Sequence, residues 1–180
     1  MKFRSPLRPG KVAGFAVIAL LIAWPSCSIW NNWSGTQQKQ DAFDLLYQVA
    51  SFQMELMATA FTEGAKGADT GELNELQLAA YSANFTHERL VQAEGSDNLT
   101  ELKSLPELLK VIQRLQIGGE RSLKADEKEL LAKADALFKT MFESYGKLLN
   151  SSGKLVSSAN DKLAKADGEL YALLHKKLQP

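Results

Sequence analysis

The sequence predicts an all-α fold in which a single N-terminal transmembrane or signal-anchor helix precedes an antiparallel four- or five-helix bundle. Three observations predict it. Val12 to Trp24 (VAGFAVIALLIAW) holds no polar side chain. Apolar residues then recur every three or four positions in five successive stretches, as on helices with one buried face. No stretch has the two-residue alternation of a half-buried strand. The chain has 180 residues, 45% apolar and 23% charged, the composition of a single domain with a substantial core rather than a disordered or polytopic chain.

Residues 1–11 form a basic cytoplasmic tail. Lys2, Arg4, Arg8, Lys11 and Lys39 are the only charged side chains before Asp41, so the remainder of this formally neutral chain is net acidic. Residues 12–33 form the membrane span or signal segment. The run to Trp24 covers only about 20 Å, but extension through Ile29 to Trp30 crosses the roughly 30 Å hydrocarbon layer. In that reading Val12, Phe15, Ile18 and Leu21 anchor the segment, and Trp24, Trp30 and Trp33 fall near the outer headgroups, where indole rings are favoured. A cleaved signal peptide processed after Ser28 fits the same residues. So does lipidation at Cys27, after Ser26, although Trp24 is an unusual residue for a lipoprotein box. All three place the body, residues 41–180, outside the cytoplasm at the cell surface or in the periplasm, because a basic tail stays inside. Residues 34–40 are the linker.

In the body, Phe43, Tyr47, Ala50, Met54, Met57 and Phe61 form one apolar row, and Ala42, Leu46, Val49, Leu56 and Ala60 a second beside it. Two adjacent rows make a face wide enough to meet two neighbours in a bundle. Glu63 to Gly71 is a glycine-rich break. The second helix is expected over Glu72–Ala93, with Leu73, Leu76, Ala80, Ala83, His87 and Leu90 on one face, and Glu94 to Asn98 end it. Ser104-Leu105-Pro106-Glu107 has the form of a capping box, with proline tolerated in the first turn, and predicts the start of the third helix. Gly118-Gly119 stops that helix. The fourth is expected over Ala125–Leu149, again with two apolar rows, and the fifth over Leu155–Leu178, joined by the short Asn150 to Gly153 connection that suits antiparallel neighbours. Wide apolar faces on the first and fourth helices also suit a homodimer, since surface in excess of the bundle's needs is buried elsewhere.

Chemistry-bearing constellations are sparse. One cysteine supports neither an internal disulfide nor a thiolate zinc site, and balanced charge argues against nucleic acid as a partner. Of the two histidines, His87 lies on an apolar face and His175 in a last helical turn; neither is preceded three residues earlier by glutamate, as a di-iron bundle requires. No Gly-x-Ser-x-Gly, phosphate-binding glycine loop or Cys-x-x-Cys-His occurs. The expectation is therefore no cofactor, no metal and no enzymatic activity. Asp135 interrupts an apolar row of the fourth helix, where it is either a buried carboxylate with a functional role or, as expected, an edge residue in contact with water. Asn-x-Ser/Thr triplets begin at Asn32, Asn84, Asn98 and Asn150, but Asn84 falls inside a predicted helix and is poorly placed as a glycan acceptor.

The basic N-terminus and apolar segment are followed by QDAFDLLYQV (Gln40 to Val49), a turn, a second helix, LPELL (Leu105 to Leu109) and LKADEKELL (Leu123 to Leu131). In order and spacing this resembles the N-terminal helical region of YpeB-type spore-germination proteins, over about 150 residues. The resemblance implies an accessory role at the membrane, handling a cortex-lytic enzyme. From the residues themselves, the expected function is a tethered, non-enzymatic module that binds or regulates a protein partner at the membrane surface. The alternative is a ligand-binding sensory bundle with a pocket near Tyr47, Tyr81, His87 or Tyr145, signalling through a partner membrane protein.

Overall fold

The computed structural model describes residues 39–179. The chain divides into two units, residues 1–42 and 43–180; of the first, only 39–42 are among the described residues. The anchor positions Val12, Phe15, Ile18, Leu21, Trp24 and Trp30, and Cys27, lie outside them. Among the described residues no helix is long and apolar enough to cross a membrane.

The body is all-α. Helix α1 covers 39–66. A single 3-10 turn, Gly71–Leu73, leads into α2 (Asn74–Glu94), followed by α3 (Ser104–Gln116), α4 (Ala125–Tyr145) and α5 (Ser157–Leu178). Among the described residues no strand forms, only the isolated bridges Asp69 to Ser122 and Leu149 to Leu155. Helix direction alternates along the chain. Tyr47 meets Tyr145 while Thr62 meets Asp135, so α1 and α4 run oppositely. Helices α3 and α5, two apart in sequence, run the same way: Ser104 meets Asp167, Glu107 meets His175 and Arg114 meets Leu178.

One apolar core holds the helices together. Phe43, Ala50, Met54, Met57 and Phe61 of α1 are buried, as are Leu76, Ala80, Ala83 and Leu90 of α2 and Leu163, Ala166 and Leu170 of α5. The Phe61 and Phe138 rings pack with centroids 5.5 Å apart. Both rows of α4 are spent inside this core, since Leu130, Leu131, Ala134, Phe138, Met141 and Tyr145 are all buried. The second row of α1 is divided: Leu46 and Ala60 are half-buried against the core, whereas Val49 and Leu56 are exposed, as are Leu45 and Phe52 beside them.

Several helix ends and connections differ from the sequence expectation. Helix α4 ends at Tyr145 rather than Leu149, because residues 146–156 turn back on themselves, with Val156 N–H bonded to Leu148 O at 2.7 Å. The glycine-rich breaks before α2 and after α3 are also tied to each other: Thr70 N–H donates to Arg121 O and Leu123 N–H to Ala68 O, each at 2.9 Å. The capping box expected at Ser104 does not form. Ser104 is the first helical residue rather than the cap, and Glu107 reaches away from it to Lys110 (2.8 Å) and His175 (2.6 Å). The reaching-back carboxylate is found at α4 instead, where Glu127 accepts from Lys124 N–H at 2.8 Å and from both terminal nitrogens of Arg121.

Candidate functional site

The structure brings together three of the four pocket residues proposed from sequence. Tyr47 projects from α1, His87 from α2 and Tyr145 from the last turn of α4. His87 is only 2% exposed. Its Nε2 lies 2.9 Å from Thr100 O and its Nδ1 3.1 Å from the Tyr145 hydroxyl. A carbonyl can only accept, so Nε2 carries the proton, and Nδ1 is left to accept from Tyr145. Tyr47 donates in turn to Tyr145 O at 2.8 Å, its ring stacked on that of Tyr145 with centroids 6.0 Å apart.

Burial dominates the electrostatics of this chain of groups. Desolvation pushes His87 down to about 4, against smaller opposing effects of the Thr100 bond and Glu88, so the imidazole is neutral at physiological pH. The Tyr145 hydroxyl is pushed up by the same cause and stays protonated. Both ring nitrogens of His87 are engaged within the protein, so the cluster acts as an internal strut and leaves neither nitrogen to bind or to move a proton to a ligand. Tyr81, the fourth residue, is 62% exposed on an outward face of α2. It lines a shallow hollow with Leu78, Leu109 and Gln113, away from the cluster.

A groove of about 320 Å³ reaches His87 from outside, lined also by Asn84, Glu88, Gln92, Glu101 and Pro106. A second concavity, of about 450 Å³, lies between the end of α3, the start of α4 and the end of α5. It is cationic, but Arg114 donates to Leu178 O, Arg121 is held by Glu127, and Lys177 pairs with Asp126 outside it. Among the described residues no group of three or more His, Cys, Asp or Glu is placed to hold a metal ion.

Sequence reasoning missed a buried carboxylate. Asp167, on α5, accepts from the Lys103 N–H (3.0 Å), the Ser104 N–H (2.9 Å) and the Ser104 hydroxyl (2.5 Å). It thus caps α3 from another helix, satisfying N–H groups that have no partner within α3. Two turns earlier, Asn160 accepts from Thr100 N–H and donates to Asn98 O, fixing the segment whose carbonyl holds His87. Asp135, expected at a solvated edge, sits between Thr62 (3.1 Å) and Lys139 (2.7 Å) with its side chain 14% exposed.

Comparison with protein-family models, with curated proteins and with solved structures finds no match.

Proposed function

We propose that the protein is a non-enzymatic module held to the membrane by its N-terminal segment, with the helical bundle outside the cytoplasm, where it binds or regulates a protein partner. One observation carries the reading. The bundle closes its own core yet leaves large apolar side chains in rows on two helices: Leu45, Val49, Phe52 and Leu56 on α1, and Leu78, Tyr81 and Phe85 on α2. Residues so arranged contribute nothing to the internal core and are the usual mark of an association surface. The buried side chains of His87, Tyr145 and Asp167, by contrast, are engaged within the protein. Tethering supports the same role, because a partner on the same membrane meets the module at high effective concentration. The resemblance to YpeB-type proteins gives this role a specific form, a germination-type accessory protein acting on a cortex-lytic enzyme.

A second reading, the ligand-binding sensory bundle, draws on the groove beside His87. In that case a small ligand occupies the groove and its effect passes to a partner membrane protein.

Intact mass combined with alkaline extraction of native membranes tests the first reading. The expected result is an unprocessed chain that stays in the alkali-resistant membrane fraction, with residues 41–180 digested by protease added from outside. A soluble chain beginning near Ile29 would overturn the tether and shift attention to ligands in the groove.

A further inference from the structure

We infer that the exposed row of α1 is a self-association seam, and that its partner is a second copy of this chain aligned parallel to the first. The inference rests on the tethered reading above and names the partner that reading leaves open.

Leu45, Val49, Phe52 and Leu56 are spaced by 4, 3 and 4 residues and are 63%, 43%, 55% and 44% exposed. That spacing is the a/d seam of a coiled coil, with Val49 and Leu56 at a and Leu45 and Phe52 at d. The seam is separate from the row that builds the core, since Phe43, Ala50, Met54, Met57 and Phe61 all fall at the b and f positions of the same register and are buried. One helix thus carries two independent apolar surfaces. The bundle uses only one of them.

The flanking positions suit a copy of the same helix. In parallel pairing each g residue faces the e residue five positions on in the other chain, which sets Gln48 opposite Gln53 and Glu55 opposite Ala60. No like charges face each other, and the glutamine pair can exchange hydrogen bonds. The shared N-terminal segment favours the parallel arrangement, because two chains anchored just before α1 present the starts of both helices to one surface.

The area decides how the pair behaves. Four side chains at these exposures offer roughly 400 Å² per copy, or about 800 Å² for the pair, below the roughly 1,200 Å² at which stable interfaces begin. Free in solution the seam is therefore weak. On a membrane, where tethering raises effective concentration toward the millimolar range, the same seam is occupied. Helix α2 offers a poorer alternative, since Arg89 already lies over the Phe85 ring at 4.9 Å.

Disulfide trapping in the full-length chain within native membranes tests this. In a Cys27→Ser background, single Val49→Cys and Phe52→Cys variants place like residues of two parallel helices within bonding range. Mild oxidation is expected to give a product of twice the chain mass at both positions, at least tenfold above Leu78→Cys and Glu143→Cys, which are exposed elsewhere. Adding Val49→Glu to the Phe52→Cys variant should lower the product at least tenfold while circular dichroism stays unchanged. Several outcomes overturn the seam: products no stronger than at Glu143, a dominant product at Leu78, or a link only between Val49→Cys and Phe52→Cys chains in a mixture. A product of any mass other than twice the chain would assign the row to a different protein. With Cys27 retained, a link from it to Val49→Cys within one chain would assign the row to the N-terminal segment. The same samples separate the two proposals. A chain missing from the alkali-resistant fraction overturns the tether and with it the occupied seam, whereas a membrane-bound chain without seam links overturns the seam alone.

Discussion

Acidification should destabilise the bundle through His87 by a definite amount. The side chain has an ordinary pKa of 6.5 and is pushed down to about 4 in the folded protein. Above pH 6.5 both folded and unfolded chains hold it neutral, and its contribution to stability is fully present. Below 6.5 the unfolded chain takes up a proton that the folded chain refuses, so stability falls as pH falls, by about 1.4 kcal/mol per unit, until the folded pKa is reached. The loss is about 2 kcal/mol between pH 7 and pH 5 and about 3 kcal/mol by pH 4. Set against a total of about 5–15 kcal/mol for a domain, this is a large share. The assay is urea unfolding followed by circular dichroism at half-unit steps from pH 7.5 to 4.5, for the wild type and for His87→Gln. Glutamine can still donate to Thr100 O and accept from Tyr145, but it does not titrate. All other side chains are common to the two proteins, so their contributions cancel in the difference. The wild type should therefore lose about 2 kcal/mol more than the variant between pH 7 and pH 5. Parallel curves for the two proteins would refute the argument, since they would mean that His87 takes up its proton in the folded state.

Three further predictions concern the joints of the bundle. Asp167→Ala should cost about 3 kcal/mol in urea unfolding, because it strands two N–H groups and a hydroxyl at the buried start of α3, whereas Ser104→Ala should cost only about 1 kcal/mol. Tyr47→Phe keeps the ring on Tyr145 but removes the bond to its carbonyl, and should lower stability by about 1 kcal/mol, read the same way. Gly118→Ala should cost about 1 kcal/mol even though a Cβ there meets nothing within 4 Å, because the backbone sits at φ +94°; thermal unfolding should show a drop of a few degrees.

Much of the fold was legible because helical periodicity is a local property. The rows through Met54 and Met57, through Ala80, Ala83 and His87, and through Leu163, Ala166 and Leu170 all face the core as their spacing implies. Polar residues were harder to place, because their partners lie far away in sequence. Ser104 and Glu107 have the right spacing for a local cap, yet an α5 carboxylate 63 residues on captures the serine, while Lys110 and His175 hold the glutamate. Nothing in the local sequence marks Asp167, which is buried only by the packing of α5 against α3. Tyr47, His87 and Tyr145 could be singled out as polar groups within apolar rows, but their mutual hydrogen bonding depends on α1, α2 and α4 meeting at one level. Tyr81 carries the same chemistry and stands apart, because its helical position points it outward. The openness of Leu45, Val49, Phe52 and Leu56 was equally hidden, since the width of a face does not reveal how much of it the neighbours will cover.

The polar reach of α5 has a consequence for how the chain is made. Asn160, Asp167, His175 and the carbonyl of Leu178 together hold the 98–104 segment and the length of α3, at residues 98, 100, 103, 104, 107 and 114. A ribosome delivers residues in order, so α3 emerges some fifty residues before the helix that finishes its N-terminus. Until α5 arrives, the start of α3 has no acceptor for its first N–H groups, and the Thr100 carbonyl that orients His87 lies on an unfastened segment. Helix α5, made after the other four, thus completes their packing, and a nascent chain stalled after α4 would expose an unfinished middle to chaperones and proteases.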